Sequence, residues 1–152
     1  MGKKANNEDK IMWKVMIVDD EKLICKLVQA LVEWDKLGMQ MAAQAENAIQ
    51  ALDMLQQYRP DILITDIRMP GMDGLELIKN AKKICPELEI IIISGYAHFE
   101  YARNALSLGV GNYLLKPIKQ DELNETLRKI GERLDAKKSA QGMEMAERRV
   151  SE

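Results

Sequence analysis

Four short apolar runs punctuate the chain: Val15-Met16-Ile17-Val18, Ile62-Leu63-Ile64, Ile90-Ile91-Ile92-Ile93 and Tyr113-Leu114-Leu115. Continuous apolar runs of this length suit strands covered on both faces, as in a parallel sheet packed between helices. Met39 to Ala45 is a fainter strand candidate. Between the runs the period lengthens to that of a helix. Leu23, Leu27, Leu31 and Trp34 form one stripe, and Ala48, Ala51, Leu52 and Leu55 a second. Leu75, Ile78 and Ala81 form a third, Ala102, Ala105 and Leu106 a fourth, and Leu123, Leu127, Ile130 and Leu134 a fifth. Each spacing puts its apolar side chains on one side of a helix. Breakers fall between the elements, at Gly38, Pro60, Pro70-Gly71, Pro86, Gly109 and Gly111.

Strand and helix therefore alternate five times, which predicts an α/β fold with a doubly wound, five-stranded parallel sheet and five helices. Five such units in about 120 residues fit the flavodoxin-like strand order 2-1-3-4-5, although alternation alone does not fix that order. Residues 1–11 are polar and are expected to be a disordered tail, with the domain over 12–135. Apolar density falls over 136–152, which reads as a linker or truncated tail.

Bulk properties narrow the functions available. The 152 residues suffice for one domain with tails, and a net charge of −2 gives no electrostatic case for nucleic-acid binding by this segment. No apolar run approaches the roughly 20 residues needed to cross a bilayer. The start, MGKKANNEDK, lacks the apolar stretch of a secretory leader, so a cytoplasmic location is expected. Cys25 and Cys85 lie far apart in helix-like segments and make neither a disulfide framework nor a metal site. They read as small core hydrophobes. His98, the single histidine, reads as a surface residue at a helix start.

In an open α/β sheet, ligands bind beyond the carboxyl ends of the strands, near the point where strand order reverses. The residues ending each run are therefore informative: Asp19-Asp20, Thr65-Asp66, Ser94-Gly95 and Lys116-Pro117. Three carboxylates, a hydroxyl and an ammonium would converge there. Clustered carboxylates disfavour one another's ionised forms and call for positive charge. Lys116 brings one charge, and a hard, all-oxygen ligand set points to Mg²⁺ for the rest. Such a cradle suits phosphoryl transfer, for which a carboxylate can be the nucleophile. Taken singly, each residue has a plainer reading: helix-start acids, a turn cap, a turn serine, a solvated lysine. Together at one sheet edge they favour a site.

These residues fall in recognisable stretches. VMIVDDEKL (Val15 to Leu23), DILITDIRMPGMDGLELI (Asp61 to Ile78), IIISGY (Ile91 to Tyr96) and YLLKPI (Tyr113 to Ile118) resemble response-regulator receiver domains of bacterial two-component systems. The resemblance covers residues 12–135 and implies a role for each position. Asp66 is then the phosphoacceptor, Asp20 a direct Mg²⁺ ligand, and Asp19 the holder of a metal-bound water. The Arg68 backbone carbonyl completes the protein part of the metal shell. Ser94 and Tyr113 are the switch pair, and Lys116 pairs with phosphoryl oxygens through a cis bond to Pro117. The implied donor is a sensor histidine kinase. The implied response is a shift of the face formed by helix 4, strand 5 and helix 5. Such a domain catalyses only its own phosphorylation and slow self-hydrolysis and is not a dedicated enzyme. Large residues at Arg68 and Tyr96 are expected to slow that hydrolysis by obstructing water.

The stretch from Ser94 to Ile118 is similar to receivers that carry an AraC-type helix-turn-helix output. DNA would then be reached only through an effector domain absent from this chain, expected to be an excised receiver. Rival readings are a stand-alone phosphorelay intermediate and a phosphorylation-independent interaction module, which would be expected to lack part of the acid and lysine set. An aspartate-nucleophile hydrolase is a third, but that chemistry usually wants an acid where Arg68 stands. A homodimer through the helix 4 to helix 5 face, with Arg103, Lys119, Asp121, Glu122 and Arg128, is a further expectation.

Overall fold

The computed structural model describes residues 12–95, 104, 107 and 109–150, the side chains of 143–150 excepted. Strand β1 (Trp13–Val18) leads through a first helix (Lys22–Leu31) and a helical turn (Trp34–Leu37) to β2 (Met39–Ala45). A second helix (Ala48–Tyr58), β3 (Ile62–Asp66), a third helix (Gly74–Ile84), β4 (Glu89–Ser94), β5 (Asn112–Leu115) and a C-terminal helix (Gln120–Val150) follow. All strand pairs are parallel, in the order β2-β1-β3-β4-β5. This is the flavodoxin-like architecture expected from the alternation. Of the fourth helix, Asn104 and Ser107 are described and helical; Ala102, Ala105 and Leu106 lie outside the described residues.

The strand runs are apolar throughout because both faces of the sheet are covered. On one face Met16, Val18, Leu63, Ile90 and Ile92 pack against Ala51, Leu55, Leu77, Ile78 and Ala81 of the second and third helices. On the other face Val15, Ile17, Ile62, Ile64, Ile91 and Ile93 pack against Cys25 and Val28 of the first helix. Leu123, Leu127, Ile130 and Leu134 of the C-terminal helix complete that layer. Each fully buried aliphatic side chain stabilises by about 1.5–3 kcal/mol relative to exposure.

One stripe differs from what its spacing predicts. In the first helix Leu23 is 77% exposed and Leu27 41% exposed, while Cys25 and Val28 are buried. Ile24 and Leu31 pack beside them. The helix, KLICKLVQAL, is apolar on more than one side, so two stripes fit the period and only contact with the sheet selects one. Trp34 lies beyond that helix, in the separate turn closed by Gly38 at φ 67, a left-handed conformation glycine adopts without steric cost.

Residues 136–150, expected as linker or tail, continue the C-terminal helix. Its descent past the sheet is fixed at the strands' N-terminal edge. Trp13 Nε1 donates to Asp135 at 2.8 Å, Arg133 pairs with Glu89 at 3.2 Å, and Lys137 pairs with Glu87 at 3.3 Å.

Candidate functional site

Strand order reverses between β1 and β3, and their register sets Val18 against Thr65. Asp19 and Asp66, the next residues along, therefore emerge side by side at the carboxyl edge. One carboxylate oxygen each from Asp19, Asp20 and Asp66 lies within 4.8 Å of the others. Asp19 and Asp66 are buried and Asp20 is exposed.

Each buried carboxylate is held by the backbone. Asp19 Oδ1 accepts from the Glu21 amide at 2.9 Å. Asp66 Oδ1 accepts from the amides of Ile67 at 2.6 Å and Arg68 at 3.3 Å. Lys116 reaches across from the end of β5, its Nζ 2.9 Å from Asp66 Oδ2 and 3.7 Å from Asp19 Oδ2. The Lys116–Pro117 bond is cis, and the Lys116 amide donates to the Ser94 carbonyl at 2.8 Å.

Electrostatics mark the cluster as short of cations. Burial pushes the Asp19 carboxyl from 3.8 up to about 6. Repulsion from Asp66 and a hydrogen bond with Asp20 act in the same direction, against the Glu21 amide and Lys116. For Lys116, burial favours loss of the proton, but the hydrogen bond and charge of Asp66, with Asp19 and Glu21, hold it above its ordinary value. Beneath the site, burial and the neighbouring Asp19 charge push the Cys25 thiol up to about 11, so it stays protonated.

Three carboxylates thus face one ammonium, leaving about two negative charges uncompensated when all are ionised. A divalent, oxygen-seeking cation fits that deficit, and Asp19, Asp20 and Asp66 are the residues that could hold it. Ser94, one residue past the partner of Asp66 on β4, has a buried hydroxyl without a hydrogen-bond partner among the described residues. The hydroxyl of Tyr113 on β5 is in the same condition. Buried polar atoms left unpaired cost stability unless a ligand or a rearrangement satisfies them.

The model of the response regulator receiver domain matches residues 15–128. This chain belongs to that family. As a receiver it is part of two-component signalling, and such domains are signalling modules that work with sensor histidine kinases. Over 119 residues it is 40% identical to the transcriptional regulatory protein YesN of Bacillus subtilis, covering 78% of this chain and 32% of that protein. It is 32% identical to the transcriptional regulatory protein HptR of Staphylococcus aureus, covering 89% of this chain and 53% of HptR. Among solved structures, the receiver domain of AraT, a response regulator from Geobacillus stearothermophilus, superposes with a TM-score of 0.81 at 38% identity. That match covers 84% of this chain and 99% of the other. A two-component transcriptional regulator AraC from Clostridium phytofermentans gives 0.73 at 35% identity, over 78% and 92%. The receiver spans about a third to a half of the length of the curated relatives it matches.

The structure brings Asp19, Asp20, Asp66 and Lys116 together and sets Ser94 and Tyr113 on the neighbouring strands. Arg68 is exposed beside Asp66, whereas Tyr96, His98 and Arg103 lie outside the described residues. On the C-terminal helix Arg128 is already paired with Glu125 and Glu132 of the same helix. No helix among the described residues is long and apolar enough to cross a membrane. A cleft of about 480 Å³ lined by Trp13, Pro60, Cys85 and Leu134 lies at the opposite edge of the sheet and contains none of the carboxylates. Sequence reasoning overlooked three supports of the receiver site: the Glu21 amide on Asp19, the Thr65 hydroxyl donating to the Asp66 carbonyl at 2.9 Å, and the close approach of Gly74. Only for Gly74 was there a signal, an Asp-Gly pair at a helix start.

Proposed function

We propose that this receiver takes a phosphoryl group on Asp66 from a phosphohistidine of a sensor kinase. The observation that carries the reading is the shared pocket of Asp19, Asp20, Asp66 and Lys116. Asp66 Oδ1 is held by two backbone amides, which leaves Oδ2, paired with the Lys116 side chain at 2.9 Å, as the attacking oxygen. Oδ2 forms the new O–P bond while the P–N bond to the histidine breaks, and the departing imidazole nitrogen keeps the electron pair. Asp19, Asp20, Asp66 and the Arg68 carbonyl would hold Mg²⁺, which would neutralise phosphoryl charge when bound. Lys116 exchanges its bond to Asp66 for one to a phosphoryl oxygen. Ser94 turns its unpaired hydroxyl toward the same group, and Tyr113 moves into the space behind it.

Phosphorylation replaces a carboxylate of charge −1 with an acyl phosphate carrying about −1.5 to −2 and three strong acceptors. That event biases the face of strand 5 and its flanking helices between two arrangements. The output is a DNA-binding domain outside this chain, as suggested by relatives named as transcriptional regulators.

Incubation with acetyl phosphate and Mg²⁺, read by intact mass, tests the proposal. Wild type gains the mass of one phosphoryl group, and Asp66→Asn does not. Equal gain by both proteins would refute Asp66 as the acceptor.

A further inference from the structure

We propose that Gly74 is a positioning residue for the phosphoacceptor: its bare α-carbon sets where the Asp66–Ile67 backbone stands, and hence where the Asp66 carboxylate lies relative to Asp19 and Asp20. The inference rests on the reading of Asp66 given above.

A β-carbon built at Gly74 would lie 2.4 Å from the Asp66 carbonyl oxygen, 2.7 Å from Ile67 Cα and 2.9 Å from the Ile67 carbonyl oxygen. All three are backbone atoms, so no change of rotamer relieves the overlap. The glycine is required here for close approach. Its amide also donates to the Ile67 carbonyl, binding the helix start to the segment that follows the acceptor.

Both sides of this contact are anchored. The third helix is fixed at its start by Asp73, whose side chain accepts from the Glu76 amide at 2.9 Å. It is fixed along its length by Leu77, Ile78 and Ala81, all fully buried. Asp66 is the last paired residue of β3, and Ile67 and Arg68 leave the sheet. Ile67 is buried in the same core as those helix residues, so an added methyl has to part the Asp66–Ile67 backbone from the helix start. To recover ordinary contact at 3.4 Å from 2.4 Å, the Asp66 carbonyl and the helix start must separate by about 1 Å. The same segment carries the Asp66 carboxylate and the two amides that hold its Oδ1. A misplacement of about 1 Å can cost about a hundredfold in a reaction that depends on positioning. At Gly95 and Gly111, near the ends of other strands, an added β-carbon would meet nothing within 4 Å, so neither carries such a constraint.

The test compares Gly74→Ala with Ala81→Gly, which weakens the same helix without touching Asp66. Three quantities are read: Mg²⁺ affinity by calorimetry, phosphorylation rate with acetyl phosphate at saturating Mg²⁺, and thermal unfolding. Gly74→Ala is expected to lose roughly tenfold to a hundredfold in both affinity and rate. Ala81→Gly should keep both within about twofold at a similar loss of Tm. Equal affinity and rate in Gly74→Ala and wild type would overturn the proposal, as would an equal loss in Ala81→Gly. If Gly74→Ala does not fold, Asp73→Ala takes its place, because uncapping the helix frees Gly74 to drift. It should weaken Mg²⁺ binding severalfold while the cap-preserving Asp73→Asn does not; no difference between the two would overturn the proposal. Wild type that neither binds Mg²⁺ nor gains phosphate would instead defeat the reading of Asp66.

Discussion

Asp19 should destabilise the metal-free receiver at neutral pH, and replacing it by Asn should make the protein more stable. Asp19 is 2% exposed and its carboxyl is pushed from 3.8 to about 6. At about 1.4 kcal/mol per tenfold, keeping it ionised in the fold costs about 3 kcal/mol. That is a large share of a typical stability of roughly 5–15 kcal/mol. Because the folded state holds this proton more tightly than the unfolded chain, the associated stability is complete below 3.8 and is lost as pH rises through about 6. Asn retains an acceptor oxygen for the Glu21 amide and removes the charge. The attraction to Lys116 at 3.7 Å is already counted in that shift, and burying an amide in place of the carboxyl has its own desolvation cost, so a net gain of roughly 1–3 kcal/mol is expected at neutral pH. Urea unfolding of wild type and Asp19→Asn in EDTA, from about pH 4 to pH 8, gives the difference directly. It should grow across the window from 3.8 to about 6 and then level off. A variant no more stable than wild type at neutral pH, or an offset independent of pH, would refute the argument. Mg²⁺ should then raise the stability of wild type more than that of the variant.

Lys116→Met removes the cation that Asp66 and Asp19 share, and should cost about 2–4 kcal/mol in metal-free urea unfolding, between the values for exposed and buried pairs. Leu127→Ala hollows the layer beneath the C-terminal helix and should cost about 2–5 kcal/mol, measured the same way. Leu23→Ala should stay within about 0.5 kcal/mol of wild type because that side chain is 77% exposed, whereas Val28→Ala further along the helix should cost over about 1 kcal/mol. Trp13→Phe loses the bond to Asp135 and should lower stability by about 1 kcal/mol, seen as a reduced Tm.

Much of this receiver was legible in one dimension. The apolar runs at Val15, Ile62 and Ile90 announce strands buried on both faces because each run is short, continuous and bounded by breakers; the run at Tyr113 is a strand too, but an edge strand whose Leu115 is 41% exposed. Even the faint candidate, Met39 to Ala45, is a strand with those bounds. The C-terminal stripe of Leu123, Leu127, Ile130 and Leu134 is buried as its spacing requires, since one helix face is strongly apolar and the others are charged. The first helix is ambiguous for the opposite reason: beside its leucine stripe, Ile24, Cys25 and Val28 make a second apolar side, and the choice of Cys25 and Val28 over Leu23 and Leu27 is made by the sheet. The residues of the pocket could be named from strand ends, but not their distances or their charge state.

What the sequence by itself determined is the alternation of elements and the polar residues that terminate each strand, because periodicity and chain breakers act between near neighbours. What only the tertiary structure decided is the set of relations between atoms far apart along the chain. These include the 2.9 Å reach of Lys116 to Asp66, the elevated proton affinity of Asp19, and the contact that leaves no room for a β-carbon at Gly74. Desolvation, Coulombic coupling and steric exclusion depend on separations in space, and a residue's place in a linear pattern does not carry them.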